Sequence, residues 1–184
     1  MELTATEAAI LALLAYGKRS GYEVSKAIEQ SVGFFWNPAK SQLYAVLPRL
    51  VDRGFATVRR VRQEDRPDKQ VYAITRAGRK AVEQWLADPD FEPDPARHPF
   101  LLKLFFAGLA GEGTAHALLE ERRRRKGEFV AQLEAIEARV RGDDANFYGY
   151  LTLTFGLERA RATLRWTKRA LKLVEERTAA RVSS

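Results

Sequence analysis

Residues 37–78 constrain the fold most strongly, because helix signals flank the signals of a short hairpin. Asn37 followed by Pro38 is typical of a helix start, and Gly54 is placed to end that helix. The polar connection 63–69, which contains Pro67, then separates two short predicted strands, after which Thr75 is placed to cap a further helix running to about residue 87. The two predicted strands lie near residues 55–62 and 70–75.

The same stretch contains the charge of the whole chain. Between Lys40 and Lys80 eleven Lys or Arg stand against four Asp or Glu, and the difference of +7 equals the formal net charge of all 184 residues. A helix beside a positive hairpin is suited to entering a DNA groove and binding the flanking phosphates.

Two capping boxes precede this stretch, Thr4 with Glu7 and Ser20 with Glu23, and each predicts a helix start. Three helices followed by a hairpin is the order of a winged helix-turn-helix. The second helix of the helix-turn-helix motif lies in the major groove of DNA. We therefore predict a mostly α protein in which residues 1–87 form a winged helix-turn-helix DNA-binding domain with a two-strand wing.

The third predicted helix places polar side chains in its first two turns. Gln pairs with adenine, Lys with guanine, and Ser or Tyr with a phosphate or a base, so these residues are candidate base contacts. An ordinary amphipathic helix with a solvated polar face would show a similar pattern. The candidates are Lys40, Ser41, Gln42 and Tyr44.

The predicted wing is rich in cations. Charges on a hairpin edge also deter pairing with other sheets, but that use does not require nearly one sign. Beside a candidate recognition helix, contact with phosphates or the minor groove is the favoured interpretation. The wing candidates are Arg59, Arg60, Arg62, Arg66 and Lys69.

The second half of the chain is predicted to be helical. Residues 88–99 contain four of the seven prolines and four acids, which is typical of a linker or of an irregular surface loop. Residues 100–184 then show a short apolar helix and two long helices with near-heptad apolar spacing, predicted over 114–141 and 146–177. An antiparallel pair of long helices has little core of its own, so we predict that residues 100–184 form a helical dimerisation domain.

Residues 122–126 form the longest run of like charge, Arg-Arg-Arg-Arg-Lys. Five consecutive helical residues point to every side of a turn and cannot all face one groove. We interpret the run as a solvated helix segment, with ion pairs between subunits as the alternative.

The composition argues against a metalloprotein, an enzyme and a membrane or exported protein. The chain has no Cys and two His, one at position 98 and one at 116, and no catalytic motif or phosphate loop. We therefore expect no metal site, no cofactor and no enzymatic activity. The apolar run from Ala8 to Tyr16 is too short to span a bilayer and lacks the positive flank of a signal peptide, so we expect a cytoplasmic protein with no membrane partner.

Aromatic residues cluster around the predicted boundary between the two halves. Most are expected to belong to the core or to the dimer interface. A small-molecule site at the boundary is the alternative, with Trp85, Phe100 and Phe105 as candidate ligand-binding residues.

With these residues in view, the chain resembles the PadR family of transcriptional regulators, in its longer form with a C-terminal helical domain. The resemblance lies in Ser20-Gly21-Tyr22-Glu23, in Tyr44, Leu47, Leu50 and Gly54, in Tyr72, Ile74, Thr75 and Gly78, and in the apolar segment 100–107. It implies a homodimeric transcriptional regulator, usually a repressor, that binds double-stranded DNA. Some members release DNA on binding phenolic acids or other aromatic compounds, which makes a small aromatic effector a further expected partner.

Tyr22 and Arg49 complete the predicted DNA-contacting set. The chain departs from the family pattern after Tyr44, where Ala45 replaces a frequent Pro and a Pro is found at 48 instead. Pro48 cannot bond to the Tyr44 carbonyl, so we predict a kink there that affects the direction of Arg49.

Three functions compete at this stage. The leading hypothesis is a dimeric, sequence-specific DNA-binding repressor. A winged-helix module that binds protein and not DNA is the alternative, and it predicts no salt-dependent affinity for DNA. A small enzyme in the helical half is disfavoured by the missing catalytic groups.

Overall fold

A computed structural model describes residues 2–62, 68–89, 98–111 and 113–182. The chain forms two compact units, Met1–Pro93 and Asp94–Ser184, and each is described by itself. Most of the predicted linker, residues 88–99, lies outside the described residues, so the domain boundaries stay a prediction. In the part of the chain that the structure describes, none of the helices is both long and apolar enough to cross a membrane.

The described part of the first unit contains four helices and three short strands. Its elements are α1 Ala5–Ala15, β1 Arg19–Ser20, α2 Gly21–Gln30, α3 Lys40–Asp52, β2 Ala56–Val61, β3 Lys69–Ile74 and α4 Arg76–Ala87. This is the predicted order of helices and hairpin, with one additional strand.

Both predicted capping boxes are present. The Thr4 hydroxyl accepts from the Glu7 amide while the Glu7 carboxylate accepts from the Thr4 amide at 2.9 Å. Ser20 and Glu23 repeat the arrangement at the start of α2. Two free amides of each helix start are thereby satisfied by side chains within three residues, which is why the sequence alone located these starts.

The sheet is antiparallel with the strand order β1-β3-β2. The hairpin between β2 and β3 pairs Ala56 with Ile74 at its base and Val61 with Lys69 toward its tip. The predicted two-strand wing is therefore present. β1 was not predicted, since its two residues have no signal of their own and form a strand only by pairing with Tyr72 and Val71.

The start of α3 differs from the prediction. Asn37 does not cap this helix; Ala39 precedes it without a side-chain hydrogen bond, and the helix begins at Lys40. The chain is extended at Ala39, with φ −58° and ψ 142°, and the Leu43 amide bonds to the Ala39 carbonyl at 3.1 Å. Because Ala39 is extended, the helix cannot include Pro38, and Asn37 lies two residues before the N-cap position, which Ala39 occupies next to Lys40.

The core of the first unit fills the space between α1, α2, α3 and β3. Leu43, Val46, Leu47 and Leu50 form the buried stripe of α3 at a spacing of three and four residues. They pack with apolar residues of α1 and α2, including Ile10, Leu11, Leu14, Val24 and Ile28. This burial fixes which face of α3 is turned to solvent.

The second unit is helical. It consists of α5 Pro99–Phe105, a 3-10 turn at Ala107–Ala110, α6 Gly113–Val140, a second 3-10 turn at Asp144–Asn146, and α7 Phe147–Val182. The two long helices pack through Val130, Leu133, Leu153, Leu157 and Ala160. Gly142, with φ +83°, makes the turn that reverses the chain. The predicted helical hairpin is thus present, and α7 continues five residues beyond the predicted end at 177.

Candidate nucleic-acid interface

The exposed face of α3 displays the polar residues that the sequence selected. Packing of the apolar stripe against α1 and α2 leaves the opposite side of the helix in solvent. All five candidates on this helix are exposed, namely Lys40, Ser41, Gln42, Tyr44 and Arg49. Lys40 makes a solvent-exposed ion pair with Glu29 at 3.4 Å, a kind of pair that contributes little and opens readily.

Tyr44 lies over the start of α2. A Cβ atom placed on Gly21 would come within 2.6 Å of the Tyr44 ring, so the absence of a side chain at Gly21 is what admits the ring. Tyr22, the next residue, is 67% exposed, and Tyr44 is 50% exposed. Both phenol side chains are therefore exposed, and their hydroxyls can donate to phosphate or base oxygens.

Pro48 lies inside α3, and the helix is continuous from Lys40 to Asp52 around it. The predicted kink stays a prediction. Arg49 is exposed and makes no ion pair within the described residues. Arg53, one turn later, is turned inward instead: its guanidinium donates to the Glu7 carboxylate at 2.8 Å and lies 4.8 Å from the centre of the Phe55 ring.

The cations of the wing divide into paired and unpaired ones. Arg60 makes an ion pair at 2.7 Å with Asp68, the residue that precedes β3. Arg59 and Arg62 are exposed and have no carboxylate partner among the described residues. Because side chains alternate along a strand, Arg59 and Arg60 point to opposite faces of the hairpin. The candidate Arg66 lies outside the described residues.

Lys69 is held by a carboxylate from another element. Its ammonium donates to Glu23 at 2.7 Å, and the same carboxylate accepts from the Ser20 amide at 2.7 Å. The Lys69 hydrogen bond, followed by the Ser20 amide, lowers the pKa of Glu23 from 4.5 to about 2. This ion pair connects the start of β3 to the start of α2. The sequence had predicted Lys69 only as a contact to DNA.

The candidate ligand residues belong to different units. Trp85 is in α4 of the first unit and is 39% exposed. In the second unit Phe100 is half-buried and packs edge-on against Trp166, with ring centres 6.3 Å apart. Phe105 is 82% exposed and touches Phe106. The predicted site at the boundary of the two halves stays a prediction.

The basic run on α6 is not uniform. Arg123, Arg124 and Arg125 pair with glutamates of their own helix three or four residues away. They form the solvated segment that the sequence predicted. Arg122 and Lys126 instead lie over the rings of Phe100 and Phe129, at 4.0 and 5.0 Å from the ring centres. Sequence interpretation missed these two, although their spacing of four residues already placed them on one helix face.

Comparison with known proteins is consistent with this geometry. Residues 10–84 match the family described as transcriptional regulator PadR-like, and residues 96–175 match the domain described as virulence activator alpha C-term. The negative transcriptional regulator PadR of Bacillus subtilis is 27% identical over 175 residues, covering 91% of this chain and 96% of the relative.

Two solved structures of Bacillus subtilis PadR extend the similarity to three dimensions. The complex with operator DNA has a TM-score of 0.82 at 27% identity and covers 93% of this chain and 99% of that one. The complex with p-coumaric acid has a TM-score of 0.75 at 26% identity and covers 92% and 98%.

Proposed function

This chain belongs to the PadR-like family of transcriptional regulators and has the family's C-terminal helical domain, and from that premise we propose that it is a homodimeric repressor that binds operator DNA. The observation that most supports DNA binding is the exposed polar face of α3 beside a wing whose Arg59 and Arg62 have no carboxylate partner among the described residues. The relative from Bacillus subtilis is a negative regulator, which favours repression over activation.

The two parts of the interface, α3 and the wing, would make different kinds of contact with DNA. Side chains of α3 lie on an inflexible helix and include Gln42, whose amide can pair bidentately with adenine. The guanidinium groups of Arg59 and Arg62 are long, mobile and always charged, which suits them to phosphates that carry no sequence information. Tyr22, at the start of α2, and Tyr44, on α3, would fix the register of the protein on the duplex through phosphate contacts.

The second unit would supply the dimer contact. Its first α7 turns expose a row of large apolar side chains, Phe147, Tyr148, Leu151 and Phe155, of which Tyr148 is 81% and Phe155 63% exposed. Exposed apolar area of this kind marks an interaction surface. A second copy of the same chain buries it on both sides at once, and it also provides the two recognition helices that a palindromic operator requires.

We further propose that a small aromatic effector releases the repressor from DNA. A solved structure of PadR from Bacillus subtilis contains p-coumaric acid, which supports an aromatic ligand for this chain. Such an effector has to bind the DNA-free arrangement more tightly than the DNA-bound one, because equal affinity for both shifts nothing. A preference of about 100-fold corresponds to roughly 2.7 kcal/mol of coupling.

The test begins with the purified full-length protein and a pool of random duplexes. Repeated selection of bound duplexes should enrich a palindromic sequence with half-sites about 34–36 Å apart or a multiple of that distance. Placed upstream of a reporter, the enriched sequence should lower expression when the protein is present. Failure to enrich any sequence, together with no salt-dependent binding to duplex DNA, would support the protein-binding module instead.

A further inference from the structure

A small cavity lies between the end of α2 and the start of α3. Its volume is about 260 Å³, which is below the roughly 300–1,000 Å³ of sites for drug-sized molecules. Its walls come from the last turns of α2, from segment 37–39 and from the first turn of α3. A ligand of this cavity is therefore small, and it would lie against the part of α3 that carries the candidate DNA contacts.

The inner side of the cavity is apolar. Ile28 and Leu43 line it, and each is only 2% exposed because both belong to the core of the first unit. Pro38 also lines the cavity and brings an apolar ring that has no N–H donor. A hydrated ion gains nothing from such a surface, whereas a short aliphatic group is removed from water when it packs there.

Two opposite charges also line the cavity. Glu29 of α2 and Lys40 of α3 form an ion pair at 3.4 Å, and their side chains are 50% and 73% exposed. An exposed pair of this kind contributes little to stability and opens readily. Once it opens, the cavity presents a carboxylate and an ammonium beside an apolar surface.

Two further polar side chains line the cavity. The Ser25 hydroxyl, on a residue that is 8% exposed, donates to the Glu29 carboxylate at 3.4 Å and so limits where that carboxylate lies. Asn37 does not cap α3 as the sequence predicted, and it lines the cavity instead. Its amide can both donate and accept hydrogen bonds, so it suits either charge of a ligand.

This combination restricts the class of ligand. Glu29 would repel a simple anion, and Lys40 would repel a simple amine. An α-amino acid has an ammonium and a carboxylate on one carbon, so it replaces the single Glu29–Lys40 pair by two charge-assisted pairs. Its aliphatic side chain would then pack on the apolar side of the cavity. A peptide does not satisfy the site, because its two terminal charges are far apart.

We propose that the cavity between α2 and α3 binds a free aliphatic α-amino acid, whose ammonium pairs with Glu29 and whose carboxylate pairs with Lys40. The amino acid would occupy a cation that the proposed function assigns to DNA, so the two ligands compete for Lys40. This regulatory meaning rests on the proposed function, whereas binding of the amino acid does not. The cavity lies wholly within the first unit.

Binding is measured by equilibrium dialysis of the full-length protein with the L forms of valine, leucine, isoleucine and methionine. Acetylated leucine lacks the ammonium and leucine amide lacks the carboxylate, so each should bind at least about tenfold more weakly than leucine. In a Trp85→Phe, Trp166→Phe background, the fluorescence of Trp36, which precedes Asn37, should report the same affinity. The proposal is wrong if none of the four amino acids binds, or if either analogue binds as tightly as leucine.

Substitutions locate the site. Ala39→Leu enlarges an exposed residue that lines the cavity, so it should abolish binding while both charges and the core stay intact. Glu29→Gln and Lys40→Met should each weaken leucine binding at least about tenfold. Lys26→Met is the matched control, because Lys26 is an exposed cation of α2 outside the cavity lining, and it should leave affinity unchanged. Unchanged affinity in folded Ala39→Leu, or equal losses in Lys26→Met and Lys40→Met, overturns the site.

Competition with DNA separates this proposal from the proposed function. Saturating leucine at constant ionic strength should weaken DNA binding by the parent protein and leave that of Lys40→Met unchanged. If leucine binds through Glu29 and Lys40 while DNA affinity is unchanged, the site stands and Lys40 is not a DNA contact. If leucine binds and duplex DNA does not, the site stands and the repressor function is wrong. If DNA binds and no amino acid does, the site is wrong and the repressor function stands.

Discussion

The paired and unpaired cations of the wing should differ in how they affect salt-dependent DNA binding. Arg59 has no carboxylate partner among the described residues, whereas Arg60 and Lys69 are each held at 2.7 Å, by Asp68 and Glu23. A cation that stays paired with a carboxylate brings no net positive charge to the DNA. Its approach to a phosphate therefore releases no counterion from the duplex. We therefore expect Arg59 to neutralise a phosphate and Lys69 to position the wing.

The expected size follows from counterion release. Each phosphate neutralised on duplex DNA contributes about 0.9 to the slope of log affinity against log salt concentration. A homodimer has two wings, so Arg59→Gln should flatten the slope by about 1.8. Between 50 and 200 mM salt the parent protein would then lose about 12-fold more affinity than the variant. Lys69→Gln should leave the slope nearly unchanged.

The slope is measured by fluorescence anisotropy with a selected duplex over this salt range. Glu23→Gln and Asp68→Asn are the matched variants, because they remove the counter-charges and keep hydrogen-bonding side chains of similar size. Each should make the slope steeper by releasing Lys69 or Arg60. A slope flattened equally by Lys69→Gln and Arg59→Gln would refute the assignment, since it would mean that the Glu23 pair opens on DNA.

Three further substitutions test the helix face and the packing behind it. Gln42→Ala should change preference at one base position by about 1–3 kcal/mol without changing the salt slope, as measured by competition between duplexes. Gly78→Ala would place a Cβ 2.1 Å from the Phe55 carbonyl oxygen and should destabilise the first unit by about 1–3 kcal/mol in urea unfolding. Gly21→Ala would come within 2.6 Å of the Tyr44 ring, a side chain that can move, so it should weaken DNA binding more than it weakens folding.

Local signals made most of the fold predictable. The two capping boxes and the Thr75 cap depend on side chains and amides three residues apart, and both ends of each bond are visible in the sequence. The predicted start of α3 was wrong because Asn37 and Pro38 are also favourable in an extended segment that precedes a helix. The strand at Arg19–Ser20 was missed because its only stabilising partner is β3, about fifty residues away.

The chemical state of the site depended on tertiary contacts. Glu23 and Lys69 are 46 residues apart, so their sequence positions did not show that one neutralises the other. The basic run at 122–126 was interpreted as a single solvated segment, since the sequence did not show that Phe100 lies on the face shared by Arg122 and Lys126. Predicting the types of residue in a site was therefore easier than predicting which of their charges are free.

The two capping boxes also connect distant elements, and their different burial leads to a last prediction. Each capping glutamate pairs with a cation 46 residues later, Glu7 with Arg53 and Glu23 with Lys69. The Glu7 and Arg53 side chains are only 6% and 20% exposed, whereas those of Glu23 and Lys69 are 41% and 33% exposed. The same local motif is thus joined to one buried and one partly solvated ion pair.

Replacing either glutamate by Gln keeps an acceptor for the cap and removes the charge. Glu7→Gln should cost about 3 kcal/mol of unfolding free energy, because it leaves Arg53 buried without a counter-charge. Glu23→Gln should cost at most about 1 kcal/mol, since solvent screens its pair. In a Trp166→Phe background, urea unfolding followed by fluorescence observes Trp36 and Trp85, which both belong to the first unit.

The pH dependence provides the second half of the test. Burial raises the pKa of Glu7, but the Thr4 amide and Arg53 outweigh it and the pKa lies below 4.5, while that of Glu23 falls to about 2. A carboxyl whose pKa is lowered by folding stabilises the protein above its ordinary pKa and loses that contribution as the pH falls. The deficit of Glu7→Gln should therefore begin to shrink as the pH falls below about 4.5, and it should be lost only as the pH falls through the lowered pKa of Glu7, where the parent carboxyl also becomes neutral. Equal deficits for the two variants, or a deficit independent of pH, would show that burial does not set the strength of these links.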